Sequence, residues 1–177
     1  MENRAKLAGH TIHPMLIVFP LGLLATAVIF DIIYQFDKNA ELVTFSYWAI
    51  VAGVIGGLLA ALFGLWDWLL VPSGTRAKVI GAWHGGGNVV IVALFIIAWL
   101  LRRNETSPKY NPNGLPIVLE IIGALIALAT AWLGGELVQR LGVGVDSGAN
   151  LNAPSSLSGQ TTSGEPRAPR RKTRGTA

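Results

Sequence analysis

His10, His13 and His84 are the chain's three histidines, and Asp67 and Glu136 are acids that sit near the ends of long apolar runs. When those runs are drawn as antiparallel membrane spans, all five groups fall at one face of the bilayer. Ionisable groups at membrane depth are costly and usually face a bundle interior, so their convergence marks a candidate site. Imidazoles combined with carboxylates suit zinc, iron, copper or manganese rather than calcium. Paired histidines from two helices can instead supply both axial ligands of a haem, here haem b. Chains of His and Asp/Glu also build proton relays. His13 and His84 are the preferred ligand pair because they come from different helices at similar depth. Asp67 is then a ligand, or an acceptor that fixes an imidazole tautomer. Asn88 shares a helical face with His84, and Arg140 stands four residues after Glu136, so both are placed to orient the ligands. Gly85, Gly86 and Gly87 would let a flat macrocycle approach the backbone beside His84.

A purely structural reading stands beside this one. All five groups lie within a turn or two of a helix end, where headgroups and water lower the cost of charge. Glu136 and Arg140 form a favourable i, i+4 ion pair. Asp67 has Arg76, Lys78 and the histidines as prospective partners, and His13 could simply open a helix before Pro14.

The elements that must position these residues follow from composition. Of 177 residues 51% are hydrophobic and 14% charged, against about 25% charged in soluble domains. Four apolar runs, about 14–34, 45–70, 81–101 and 116–138, predict an all-α, integral membrane four-helix antiparallel bundle over 1–144. Pro20 lies inside the first span and predicts a kink. Gly56, Ala60 and Gly64 in the second span, and Ala127, Ala131 and Gly135 in the fourth, form small-residue stripes that let helices approach, with Gly85 doing the same beside His84. The first run is too long for a cleavable leader and reads as a signal anchor. Residues 145–177 turn to Gly, Ser, Thr, Pro and Arg, a composition that predicts a disordered, basic C-terminal tail. Arg167, Arg170, Arg171, Lys172 and Arg174 against Asp146 and Glu165 give it a net charge of +3, out of +4 for the chain. The basic balance therefore lies in the tail and does not call for nucleic acid. With no cysteine, disulfides and Cys-ligated metal centres are excluded within the chain. No phosphate loop, dinucleotide fingerprint or nucleophile elbow is present, so an enzyme acting on a soluble substrate is the least supported class.

Arg4, Lys6, Arg76, Lys78, Arg140 and the five basic tail residues lie on the histidine side; Lys38, Arg102, Arg103 and Lys109 lie on the other. That bias predicts an inner (plasma) membrane protein with both termini cytoplasmic. Trp66, Trp68, Trp83 and Trp132 mark the histidine interface, and Trp48, Trp99, Tyr34 and Tyr110 the opposite one. Asp31 and Glu120, near that opposite side, have Lys38 or Arg102 as partners or form a second polar cluster.

The strings Gly9-His-Thr-Ile-His-Pro-Met-Leu-Ile-Val-Phe-Pro-Leu-Gly22, Asp67-Trp-Leu, Pro72-Ser-Gly-Thr-Arg-Ala-Lys78, Trp83-His-Gly85 with Asn88, Gly134-Gly-Glu-Leu-Val138 and Leu141-Gly-Val-Gly-Val145 resemble a bacterial family of four-span membrane proteins catalogued as a domain of unknown function. The resemblance implies four helices and an electron-transfer setting, because similar domains occur beside Rieske-type or cytochrome c-type modules. Many members carry a further histidine before the Phe-Pro pair, where this chain has Val18.

Three functional readings follow. The first is a haem- or metal-binding membrane module serving a redox partner. The second is a structural or assembly protein without a cofactor. The third is a homo-oligomeric pathway for a small solute or protons. The charge bias makes a direct prediction: reporters fused after Lys78 or Gly144 should be active on the cytoplasmic side, and those after Lys38 or Lys109 on the periplasmic side. Periplasmic activity at Lys78 or Gly144 would reverse the orientation.

Overall fold

A computed structural model describes residues 6–103 and 109–166. Strands β1 (Lys6–Leu7) and β2 (His10–Thr11) pair antiparallel across Ala8 and Gly9. Both turn residues have positive φ, +51° and +86°, as a two-residue type I′ turn requires. Helices α1 (Ile12–Leu16) and α2 (Val18–Asp37) make the first span, interrupted at Ile17. Pro20 has no N–H to offer the carbonyl of Leu16, so the interruption falls where the sequence predicts a kink. The remaining spans are α3 (Ala40–Leu70), α4 (Arg76–Leu101) and α5 (Leu115–Gly135), the last continued by one wider π turn, Glu136–Arg140.

Caps explain why the spans outrun the apolar runs. The Asn39 side chain accepts from the Glu41 N–H at 3.0 Å and opens α3 directly after Lys38, which sits in a left-handed conformation. Thr75 Oγ1 accepts from the Lys78 N–H at 3.2 Å, so α4 starts at Arg76 rather than at Gly81. With 31 residues, α3 is about 46 Å long, well beyond a hydrocarbon core of about 30 Å.

All four long helices are apolar enough to cross a membrane, and the chain is an all-α membrane bundle. Its core is small: Leu24, Ala27, Val28, Ala49, Ile50, Ile91 and Phe95. Most other large apolar side chains point outward, because hydrocarbon rather than protein is their solvent. Trp66, Trp83, Trp132 and Trp48 are exposed as interfacial anchors, but Tyr34 is buried and Trp99 and Tyr110 are half-buried. The second belt is therefore mostly bundle packing.

Within the described part of the tail, 145–166, there is no helix or named strand, only turns and one bridge between Gln160 and Pro166. This part nonetheless lies on the N-terminal hairpin. Ser156 Oγ donates to the Ala8 carbonyl at 2.9 Å, and Lys6 pairs with Asp146. Arg4, the loop residue Pro108 and the five basic residues of the tail lie outside the described residues.

The bundle consists of two equivalent hairpins. The first is α1–α2 with α3, the second α4 with α5, and both run through the bundle in the same sense. Equivalent positions fall 71 apart in the first helices (13 and 84, 24 and 95, 27 and 98, 31 and 102) and 70 apart in the second (53 and 123, 60 and 130, 64 and 134). The contacts repeat with the numbering. Leu24 fills the space above Gly53 as Phe95 fills that above Gly123. His13 Nδ1 bonds the Ala60 carbonyl at 2.8 Å as His84 Nδ1 bonds that of Thr130 at 2.8 Å. The buried residues of α5 (Pro116, Glu120, Gly123 and Thr130) all match buried residues of α3 (Ser46, Ile50, Gly53 and Ala60).

The glycine notches are tight. A Cβ on Gly53 would lie 2.6 Å from Leu24 Cδ2, and one on Gly123 would lie 2.8 Å from Phe95 Cε2. Gly53→Val and Gly123→Val should each destabilise the protein in detergent by about 1–3 kcal/mol, read from thermal unfolding. Gly85→Ala, where an added Cβ meets nothing within 4 Å, should be neutral or stabilise by up to about 1 kcal/mol through helix propensity. Equal tolerance at all three positions would refute the notch assignment.

Candidate functional site

The structure brings together two of the five expected groups. The His13 and His84 rings lie with centroids 6.4 Å apart and planes at 88°. His13 reaches α3 because Gly64 leaves room for it: a Cβ there would sit 2.9 Å from the ring. His84 reaches α5 over Gly134 in the same way, at 3.2 Å. Each Nδ1 faces a backbone carbonyl, which can only accept, so Nδ1 carries the proton. In the neutral ring Nε2 then holds the lone pair. The Asn88 amide donates to the carbonyl of His84 at 2.8 Å and stands 3.4 Å from its Nε2. Because the two histidines are equivalent residues and lie against one another, they sit on the axis that relates the hairpins.

Of the other three expected members, His10 and Glu136 are engaged elsewhere, and Asp67 lies three residues after Gly64 on α3. His10 is on β2, outside the helix, because the Ala8-Gly9 turn precedes it; the i, i+3 alignment with His13 does not form, and its Nε2 stands 3.4 Å from Ser156 Oγ. Glu136 accepts from Arg76 Nη2 at 2.7 Å, whereas Arg140 Nε is 4.0 Å away on a highly exposed side chain. The π turn over 136–140 takes these two residues out of ideal i, i+4 phase. Asp67 is buried on α3. Lys78 Nζ caps α3 at the Trp68 carbonyl, 2.7 Å away, and lies 4.0 Å from the centre of the Trp68 ring. Among the described residues no three His, Asp or Glu side chains gather as a metal ion would require.

The small-residue stripes are corrected in part. Gly56 packs against Phe19 and Pro20, Ala60 is buried, and Gly64 holds His13, as expected. Gly85 and Gly135 face open space, and Ala131 is exposed. The close approaches beside His84 are made by Gly87 against Thr130 and by Gly134. One residue along a helix rotates a side chain by about 100°, which is why a stripe at spacing four selected the wrong neighbour.

A second polar cluster occupies the axis at the opposite end. Arg102 and Asp31 are equivalent residues, and they bond directly: Nη1 to Oδ2 at 2.6 Å and Nη2 to Oδ1 at 3.2 Å. Nη1 also donates to Glu120 Oε1 at 2.9 Å, and Nη2 to Ser46 Oγ at 2.7 Å and the Val43 carbonyl at 3.3 Å. Arg102 Nε donates to the Tyr110 carbonyl at 3.0 Å. Asp31, Arg102 and Glu120 side chains are all fully buried. The guanidinium thus joins α2, α3, α5 and the loop before α5 to the end of α4. Of the partners named from sequence, Arg102 is the one selected, while Lys38 stays outside over the Tyr34 ring. Ser46 had no sequence signal beyond being a hydroxyl in an apolar run.

Removing one member of a buried charge network strands the others. Arg102→Leu should cost about 3–5 kcal/mol, read as thermal stability in detergent. Arg102→Leu combined with Asp31→Leu should cost less than the single change. A double variant worse than the single one would contradict this account.

No curated protein and no solved structure matches the chain. The family model for predicted membrane proteins of the DUF2231 type matches residues 9–147, and its four apolar helices fit that description: the chain belongs to this family.

Proposed function

We propose that the chain is a bacterial inner-membrane module that holds an iron, or a comparable transition-metal centre, between His13 and His84. The observation that carries this reading is the pair itself. Two histidines from separate hairpins meet at 6.4 Å between ring centres, each with Nδ1 fixed on a carbonyl, and the Asn88 amide, 3.4 Å from His84 Nε2, would have to yield that nitrogen to a ligand. A backbone acceptor on the far nitrogen is the usual way a metal-ligating imidazole is oriented. Since no three His, Asp or Glu side chains gather among the described residues, haem iron, which can be held by two histidines, fits better than a bare ion. The centroid separation is close to the ~6 Å expected for two imidazoles bonded to one atom at about 2.0 Å each. Gly85, Gly86 and Gly135 have open space beside the ligand helices, which favours approach of a flat group. In this reading haem supplies one-electron chemistry. The protein holds both rings at fixed orientation and excludes water by the Gly64 and Gly134 contacts.

The partner proposed is a redox protein of Rieske or cytochrome c type, as the family resemblance implies, and homo-oligomers remain compatible with the apolar outer surface. Burial of Arg102 withdraws one charge from the loop that opposes a cytoplasmic assignment of the termini, which strengthens the bias toward cytoplasmic ends. A packing role is the second reading. The notches at Gly64 and Gly134 favour it, because one histidine-to-carbonyl bond fastens each hairpin without any ligand.

Absorption spectra and metal analysis of the purified full chain, as isolated and after addition of haem or of zinc, iron or copper, decide between them. A Soret band that is lost in both His13→Ala and His84→Ala identifies haem iron. Bound metal without a Soret band, lost in the same variants, identifies a bare ion. Absence of both in the wild-type protein overturns the reading and leaves the packing role.

A further inference from the structure

We propose that Glu120 is a proton-binding site within the membrane, at the far end of the axis from the histidine pair and independent of any metal there. The Arg102–Asp31 pair is complete by itself: two N–H groups meet two carboxylate oxygens, and the charges cancel. Glu120 adds a second carboxyl on the same Nη1. The fold does not need an acid there, because the equivalent position in the other hairpin is Ile50, fully buried and apolar. The remaining oxygen of Glu120, Oε2, is buried and has no hydrogen-bond partner among the described residues.

Among the described residues, the groups bonded to Arg102 beside Glu120 come from several elements. Asp31 comes from α2, the Ser46 hydroxyl and Val43 carbonyl from α3, Arg102 from the end of α4, and the Tyr110 carbonyl from the loop. One cation therefore faces two carboxyls in a space with no water-exposed side chain. A net negative charge there is strongly disfavoured. Adding one proton from water to the Glu120 carboxylate removes it, with no other bond changed. Glu120 lies five residues after Leu115, the start of α5, so the path to water is short on the loop side. Along α5 it is ten residues from Thr130, about 15 Å from the histidine-bonded carbonyl.

Infrared spectroscopy of the full chain in lipid vesicles tests this directly. At neutral pH the wild-type protein should show the C=O stretch of a protonated carboxyl, shifted by D2O. Glu120→Gln, an isosteric neutral change whose amide oxygen still accepts from Arg102 Nη1, should fold and lose that band. Glu136→Gln should keep it. No such band in the wild type overturns the proposal, as does a band that survives in Glu120→Gln and disappears in Asp67→Asn. Thermal stability that depends on sodium or potassium, with no carboxyl band, would assign the site to a metal cation and overturn it too.

Discussion

Arg102 sets the terms for the rest of the bundle. In hydrocarbon there is no water to receive an unbonded N–H, so a guanidinium can be buried only if its five donors all meet acceptors. Those acceptors come from α2, α3, α5 and the Tyr110 loop. Meeting that requirement fixes how far each helix can slide or rotate against the others. The Tyr110 carbonyl can take part because Tyr110 adopts positive φ and stacks on Tyr47 at 3.9 Å. At the opposite end the constraint is milder, since each histidine needs only one carbonyl and one glycine. The bundle is thus tied tightly at one end and more lightly at the end where a ligand would enter.

The repeat of contacts between the hairpins explains why so few residue types accomplish this. A residue that meets its own counterpart across an axis must be compatible with itself or be replaced by a complementary partner. Two imidazoles are compatible, each turned away onto its own hairpin's carbonyl. Two arginines or two aspartates at the other end would not be, and Asp31 opposite Arg102 resolves the conflict with opposite charges. The apolar core follows the same logic without needing charge: Leu24 and Phe95 fill equivalent notches with different volumes.

The class and the span number were legible because twenty-residue apolar runs have one physical meaning in water and another in lipid. Pro20 gave the kink for an equally local reason. Helix ends were less legible, since Asn39 and Thr75 extend helices through side-chain caps that periodicity does not register. The histidine pair was foreseen from depth alone, but His10 was not excluded, because a positive-φ turn at Ala8-Gly9 cannot be read from an alanine. Spacing four chose Gly135, and adjacency to His84 chose Gly85, where packing uses Gly134 and Gly87. The repeat itself was hidden in the sequence. The equivalent pairs share identity at His13 and His84, Ala27 and Ala98, Gly53 and Gly123, and Gly64 and Gly134, and the offset changes by one residue between helices.

The offset drops by one because the second hairpin joins equivalent points with one residue fewer, 102 to 116 against 31 to 46, even though less of that stretch is helical. The first hairpin joins its helices through Lys38 and Asn39 alone, whereas the second uses the longer segment from Arg102 to Gly114. The longer segment allows α4 to stop at Arg102, so the chain that follows can return Tyr110 over the guanidinium. A tight turn after Arg102 would leave Nε facing solvent or lipid without a carbonyl. The departure from equivalence between the hairpins is therefore concentrated where the buried charge needs it. The histidine end, which carries no such charge, keeps the two halves alike.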